Sequence, residues 1–339
     1  MIGQRHILVI RFSAMGDVAM TAPVIRALLD QNPNLKVTVL TTQAFVPIFN
    51  SIPGIKVYAA DLQGKHKGVS GLYRLSKEIK RLNVDAIADL HQVLRTKILG
   101  VFLRSVPRFS IDKGRAEKKA LVQGRIFEQL KTTHQRYADV FEKLGYSIQL
   151  DRPVFPQPAR IAINKYIGNK DAVGALIGIA PFAAHQGKMY PLNLMEEVIE
   201  ELSIKNEIIL FGGGQEEVHA LARIEKQYQN VHSVAGKMSL KEELELISNL
   251  DVMVSMDSGN GHLATIYGIK VVTIWGVTHP YAGFAPYHQP SNHSLLADKN
   301  KFPLIPTSVY GNKYPKGYEK AAGSISPKAI IEKVKDLLS

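Results

Sequence analysis

The run Val252-Met253-Val254-Ser255, then Asp257-Ser258-Gly259-Asn260-Gly261-His262, then Leu263-Ala264-Thr265-Ile266-Tyr267, decides the fold. A β-branched apolar strand feeds a tight polar turn, and the turn opens directly into a helical segment. Backbone N–H groups, a hydroxyl and an imidazole are thereby gathered at a helix start, where the peptide dipoles favour an anion. Asp and Ser are ordinary capping residues, but capping does not explain two glycines and a histidine in the same turn. In open parallel sheets such strand exits are where ligands bind.

Working outward, the same alternation recurs. Strands are expected at 7–12, 36–41, 55–58, 86–90 and 108–111, with helices at 19–31, 72–82, 95–103 and 136–144. Beyond the proline-rich break at Arg152-Pro153-Val154-Phe155-Pro156-Gln157-Pro158, strands are expected at 176–179, 207–211, 251–255 and 270–274. Helices follow at 194–204, 216–228, 240–249 and 261–267. Alternating strands and helices of this length imply βαβ units on parallel sheets. The expected architecture is α/β, two Rossmann-like doubly wound domains facing a central cleft. The first spans 1–155 and the second 156–325, with a C-terminal helix at 326–339 as a candidate to pack back on the first. A stretch at 281–323 has little periodicity.

A chain of 339 residues suits two domains of ordinary size. No apolar run reaches the ~18 residues that span a bilayer, and the start shows no signal-peptide core, so a cytoplasmic enzyme is expected. The absence of cysteine excludes thiolate metal sites and cysteine nucleophiles. The net charge of +12 falls wholly in residues 1–155, densest from Arg95 through Arg104, Arg108 and Lys113 to Lys119. A solvated face is the plain reading of such a run. The sharper reading is a polyanionic partner or an acidic membrane surface. Nucleic acid is not expected, because no binding signature accompanies the charge.

Four strand exits carry the candidate chemistry. Arg11-Phe12-Ser13-Ala14-Met15-Gly16-Asp17 places a carboxylate at the next helix start, where it can accept a proton from a substrate hydroxyl. His185-Gln186-Gly187-Lys188-Met189-Tyr190-Pro191 offers a lysine as a point charge for phosphate. Phe211-Gly212-Gly213-Gly214-Gln215-Glu216-Glu217 permits close backbone approach and places Glu216 to accept from ribose hydroxyls; helix-dipole contact alone would explain Glu217. The Asp257–His262 turn is the fourth. Neither a dinucleotide glycine fingerprint nor a P-loop occurs, and no Asp-x-Asp pair is present to hold a metal on a diphosphate. The combination suggests a nucleoside diphosphate on one domain and an acceptor on the other.

These residues resemble glycosyltransferase family 9, the bacterial heptosyltransferases of lipopolysaccharide core assembly. The resemblance lies in Ile7–Arg11 with Met15-Gly16-Asp17-Val18, Lys188-Met189-Tyr190-Pro191, Gly212–Glu216, Met238-Ser239-Leu240, and Asp257-Ser258-Gly259 with His262, Gly268, Gly276 and Pro280. His134-Gln135-Arg136-Tyr137 also sits at a family position. Tyr190 stands where tryptophan is usual and Ser258 where threonine is, keeping the ring and the hydroxyl.

The resemblance implies a GT-B fold and inverting transfer of a heptose or related sugar from an ADP-sugar donor to an anionic lipopolysaccharide inner-core acceptor. It implies no cofactor and no bound metal. Asp17 would be the general base, with Arg11, Ser13, Gly16, Arg95, His134 and Arg136 on the acceptor side. Lys188, Ser258 and Gly259 would meet the diphosphate, Glu216 the ribose, and Met238, Ser239 and Leu240 the adenine. Asp257 and His262 would contact the phosphate-sugar portion or order the loop around it. Two competing readings are a non-catalytic two-domain nucleotide- or sugar-binding protein and a Rossmann-type sugar-nucleotide-modifying enzyme.

Overall fold

The computed structural model describes residues 5–168 and 174–339. In chain order the elements are β1 (His6–Ile10), α1 (Met15–Ala19), α2 (Thr21–Gln31), β2 (Lys36–Thr42), β3 (Lys56–Ala60), α3 (Gly68–Lys80), β4 (Ala86–Asp89), α4 (Leu94–Phe102), β5 (Arg108–Ser110), α5 (Arg115–Val122) and α6 (Thr133–Glu142). They continue with α7 (Asn164–Ile167), β6 (Leu176–Ala180), α8 (Leu192–Ser203), β7 (Glu207–Leu210), α9 (Gln215–Glu225), β8 (Val231–Ser233), α10 (Leu240–Ile247), β9 (Val252–Met256), α11 (Gly259–Thr265), β10 (Lys270–Trp275), β11 (Ser294–Leu296) and α12 (Pro327–Leu338).

The chain divides into two compact units, Met1–Lys113 with Thr133–Pro156, and Gly114–Thr132 with Gln157–Ser339. Each holds one parallel sheet. In the first the strand order is β3-β2-β1-β4-β5, with Val9 opposite Val39 on one side and Ala88 on the other. Every residue of β1 is buried, the mark of a central parallel strand covered on both faces. α3 shows the complementary pattern: Leu72, Leu75 and Ile79 face inward at helical spacing while Lys77 and Lys80 stay outside.

In the second unit the order is β11-β10-β9-β6-β7-β8, again all parallel. β9, read from Val252-Met253-Val254-Ser255, is fully buried between β6 and β10. α11 lies against it so closely that a Cβ on Gly261 would come within 2.6 Å of Ser255 Oγ. This glycine is therefore required by packing, quite apart from any ligand.

Three expectations are corrected. The C-terminal helix α12 packs inside the second unit, burying Ile330 and Val334 in its core and pairing Lys335 Nζ with Glu201 at 2.8 Å. Burial of those two side chains stabilises that seat by roughly 1.5–3 kcal/mol each. Residues Gly114–Thr132, counted with the first domain in sequence, also belong to the second unit. Their Leu121 and Leu130 form an apolar cluster with Ala282. The basic excess is therefore shared: the first unit carries 19 Lys/Arg against 10 Asp/Glu, the second 23 against 20. Finally, the 281–323 stretch holds a strand, β11, and a small core of Ala297, Ile305 and Ala321 with Val277. Among the described residues no helix is long and apolar enough to cross a membrane.

Candidate functional site: two switch points

In a doubly wound sheet the chain runs from its first strand to one edge, then returns and fills the other side. The crevice where that reversal occurs is the favoured ligand position. In the first unit the reversal lies between β1 and β4, and in the second between β6 and β9. Arg11 to Asp17, Arg95, Lys188 and the Asp257–His262 turn leave those four strands.

At the first switch point Arg11 is buried. Its Nε donates to Ser13 O at 2.8 Å and Nη1 to Leu90 O at 2.7 Å, so both strand exits hold the guanidinium. Its Nη2 lies 2.6 Å from Asp17 Oδ2. The arginine side chain is 8% exposed and the aspartate 30%, so the carboxylate is oriented by a buried cation yet keeps an open face. The Tyr137 hydroxyl on α6 donates to Asp17 O at 3.3 Å, tying α6 to this turn. Gly16 is half-buried in the same turn and Ser13 is exposed.

Sequence reasoning missed the β4 side of this site. Asp89 is fully buried; its Oδ1 accepts from His91 N at 3.1 Å and Gln92 N at 2.8 Å, while Oδ2 is buried without a hydrogen-bond partner. His91 Nδ1 accepts from Phe12 N at 3.4 Å. The neutral ring therefore carries its proton on Nε2. Burial, then the charges of Arg11 and Lys113, push the imidazole down to about 4. Arg95 follows in the first turn of α4 and is exposed. On α6, His134 and Arg136 are both buried, with Arg136 Nη1 reaching Asp112 O at 3.5 Å.

The second switch point is more closed. Lys188 Nζ lies 2.8 Å from Asp257 Oδ2 and donates to Asp257 O at 3.0 Å. Thr278 Oγ1 donates to the same Oδ2 at 2.8 Å. Lysine and aspartate side chains are only 15% and 6% exposed. The two loops are also joined through backbone: Val277 N donates to Gly187 O at 2.9 Å, and a Cβ on Gly276 would stand 2.3 Å from that oxygen. Ser258 Oγ is buried without a hydrogen-bond partner. Gly259 begins α11, and His262 is buried on it. Asp257 thus accepts from both Lys188 and Thr278.

The remaining residues leave β7 and β8, in the order the sheet dictates. Glu216 is exposed in the first turn of α9, whereas Glu217 turns back to accept from Gly213 N at 2.8 Å. A Cβ on Gly213 would meet nothing within 4 Å, so the fold itself leaves open space there. Ser239 caps α10 in a reciprocal box with Glu242, accepting from Glu242 N at 3.3 Å while Ser239 N donates to Glu242 Oε2 at 2.9 Å. Met238 and Leu240 beside it are half-buried. Among the described residues no group of three or more His, Asp or Glu is placed to share a metal ion.

The lipooligosaccharide heptosyltransferase 2 of Campylobacter jejuni is 21% identical over 330 residues, covering 95% of this chain and 96% of its own length. The lipopolysaccharide core heptosyltransferase OpsX of Haemophilus influenzae is 24% identical, over 87% of this chain and 86% of its own. A glycosyl transferase family 9 structure from Veillonella parvula superposes with a TM-score of 0.78 at 18% identity, covering 100% of this chain and 98% of its own. Escherichia coli heptosyltransferase WaaC with ADP-2-deoxy-2-fluoro heptose gives 0.69 at 18%, over 98% and 99%. These share the fold, two Rossmann-like units of the GT-B class. The sequence description of glycosyltransferase family 9 (heptosyltransferase) matches residues 72–309, and the chain belongs to that family as a glycosyltransferase.

Proposed function

We propose that this enzyme transfers a heptose from ADP-heptose to an anionic lipopolysaccharide-core acceptor, with inversion at the anomeric carbon and Asp17 as general base. The observation that carries the reading is the asymmetry of the two carboxylates. Asp17 is oriented by buried Arg11 and still 30% exposed, while Asp257 is locked by Lys188 and Thr278 at 6%. Only the first can receive a proton from a ligand without first losing its partner.

The acceptor oxygen attacks the anomeric carbon as its proton passes to Asp17, and the bond from that carbon to the diphosphate oxygen breaks. Charge accumulates on the departing ADP. Fixed donors aimed at developing charge contribute most to such a step. Lys188, the buried Ser258 hydroxyl and the N–H groups opening α11 fill that role. A desolvated hydroxyl without a partner costs about 1–3 kcal/mol, a penalty that a phosphate oxygen would offset. Glu216, exposed beside the open space at Gly213, takes the ribose, and the backbone from Met238 to Leu240 takes the adenine. On the acceptor side the first unit, with its net charge of +9, attracts anionic sugars through Arg11, Ser13, Gly16, Arg95, His134 and Arg136. The names of the relatives support both substrates: lipooligosaccharide and lipopolysaccharide heptosyltransferases in sequence, and an ADP-fluoroheptose complex in structure.

The test pairs two measurements on Asp17→Asn. Calorimetry with ADP is expected to match the native protein, while heptose transfer from ADP-heptose to isolated inner core, followed by mass spectrometry, is lost. Transfer at the native rate would overturn the base assignment.

A further inference from the structure

A pocket of about 540 Å³ lies within the second unit, between the segment that carries α5 and the irregular stretch at 299–315. Its walls are mainly apolar: Leu121, Phe127, Leu304, Ile305, Tyr314 and Pro315. Lys299 and Lys313 are its charged members, and among the described residues no aspartate or glutamate lines it. Lys299 Nζ stands 3.4 Å from the centre of the Phe127 ring. The nearest acidic neighbour in sequence, Asp298, uses Oδ1 to accept from Asn300 N at 2.8 Å. The ammonium thus faces an aromatic quadrupole.

The volume is that of a small-molecule site. The lining keeps apolar surface in water, with Phe127 at 47% exposure and Leu304 at 60%. Hydrogen-bonding side chains are sparse in the lining; the Thr307 hydroxyl is already donated to Lys313 O at 2.9 Å. A saccharide needs many fixed donors and acceptors, so this lining suits an acyl chain better. Two basic segments frame the pocket. Gly114–Thr132 has five Lys/Arg against two acidic residues, and 299–320 has five lysines against one glutamate. Apolar insertion combined with surrounding lysines is the combination that holds a protein on an anionic bilayer.

We propose that this pocket docks an acidic phospholipid of a membrane surface, with its acyl portion against Leu121, Phe127 and Leu304 and its phosphate between Lys299 and Lys313. The pocket adjoins the second switch point, since Tyr314 stands against Gly187 and Thr307 N donates to Val277 O at 2.9 Å, but the argument for it uses neither donor nor acceptor. Failure of the transferase reading therefore leaves it standing.

Cosedimentation of the full chain with phosphatidylglycerol vesicles, and separately with phosphatidylcholine vesicles, tests it at low ionic strength. Binding is expected to the first and not the second. The double variant Lys299→Ala/Lys313→Ala is expected to weaken it by about 30-fold, from the usual attraction per lysine near an anionic surface. Leu304→Asp, at a 60% exposed position, is expected to abolish binding. Ile204→Asp, at a 64% exposed apolar residue outside the pocket, is expected to leave it unchanged. Equal binding to both vesicle types, or native binding by the double variant, overturns the proposal. So does displacement of vesicles by glucose 6-phosphate below millimolar concentration, which would make this a soluble sugar-phosphate site.

Discussion

The two switch points use the same parts, a strand-exit cation and a carboxylate, and set them oppositely. In the first unit the cation is buried and the carboxylate keeps an open face; in the second both are withdrawn and a threonine shares the oxygen that holds the lysine. The difference teaches which member of each pair meets a ligand. On the proposed reading, the half-open carboxylate on a fixed arginine takes the proton and the buried carboxylate positions its lysine for an anion. Each is an aspartate at a strand exit, and the difference in exposure between them is what sequence alone does not carry.

Exchanging the burdens tests the comparison most strongly. Asp17→Asn is expected to lower the transfer rate by about 10²–10⁴-fold, the usual contribution of a general base, with stability to urea unchanged. Asp257→Asn is expected to reverse that order: stability falls by about 3 kcal/mol, the low end for breaking a buried pair because Lys188 keeps some exposure. Equal effects of the two variants on both readouts would erase the distinction. Gly261→Ala is expected to cost about 2 kcal/mol in the same melts, because its Cβ would meet Ser255 Oγ. A neutral outcome would show that α11 can shift on β9, and that the second switch point is less rigid than its contacts suggest.

The units also differ in their response to acid. In the first, burial holds His91 down to about 4, and hydrogen bonds from Lys65 and Tyr58 hold Glu78, against the effect of burial, down to about 2. Both groups bind fewer protons when folded than when unfolded, so stability rises with pH through both windows, about 4 to 6.5 and about 2 to 4.5. In the second unit His279 is pushed by burial to about 4, but burial raises Glu243 to about 7. The glutamate binds more protons when folded, and its stabilisation is lost as pH rises from about 4.5 to 7. The two partly cancel there. Acidification from pH 6.5 to 4 is therefore expected to weaken the first unit more. The single tryptophan, Trp275, reports the second unit by fluorescence, and circular dichroism reports both. His91→Gln should flatten the first unit's response by up to one proton; an unchanged slope would refute the assignment. The smallest expected effect is Ser239→Ala, about 1 kcal/mol for a lost helix cap, with ADP affinity unchanged because the proposed adenine contact there is to backbone.

Much of this was legible because central strands announce themselves. β1 and β9 are buried on both faces, so they read as unbroken apolar runs. β8 and β11, three residues each at the sheet edges, carry no such run, and neither was anticipated. α5, Arg-Ala-Glu-Lys-Lys-Ala-Leu-Val, reads as charged surface, and only its packing shows that Lys118 and Leu121 are buried. The glycine-rich turns marked the second switch point well. His91 and Asp89 escaped notice because nothing local distinguishes them. Their place beside Asp17 follows from β4 lying next to β1, a fact of sheet order that spacing along the chain does not carry.

The backbone passes from one unit to the other three times, after Lys113, Thr132 and Pro156. Neither unit is thus a single continuous stretch of polypeptide. A protease nick in the proline-rich linker would release nothing, since the amino-terminal fragment still owns α5 and the Leu121 cluster that belongs to its neighbour. Dissection of this enzyme into independently expressed halves must cut and rejoin the polypeptide at all three passages. A shuffled chimaera with a relative keeps its seams intact only if Gly114–Thr132 travels with the carboxy-terminal half.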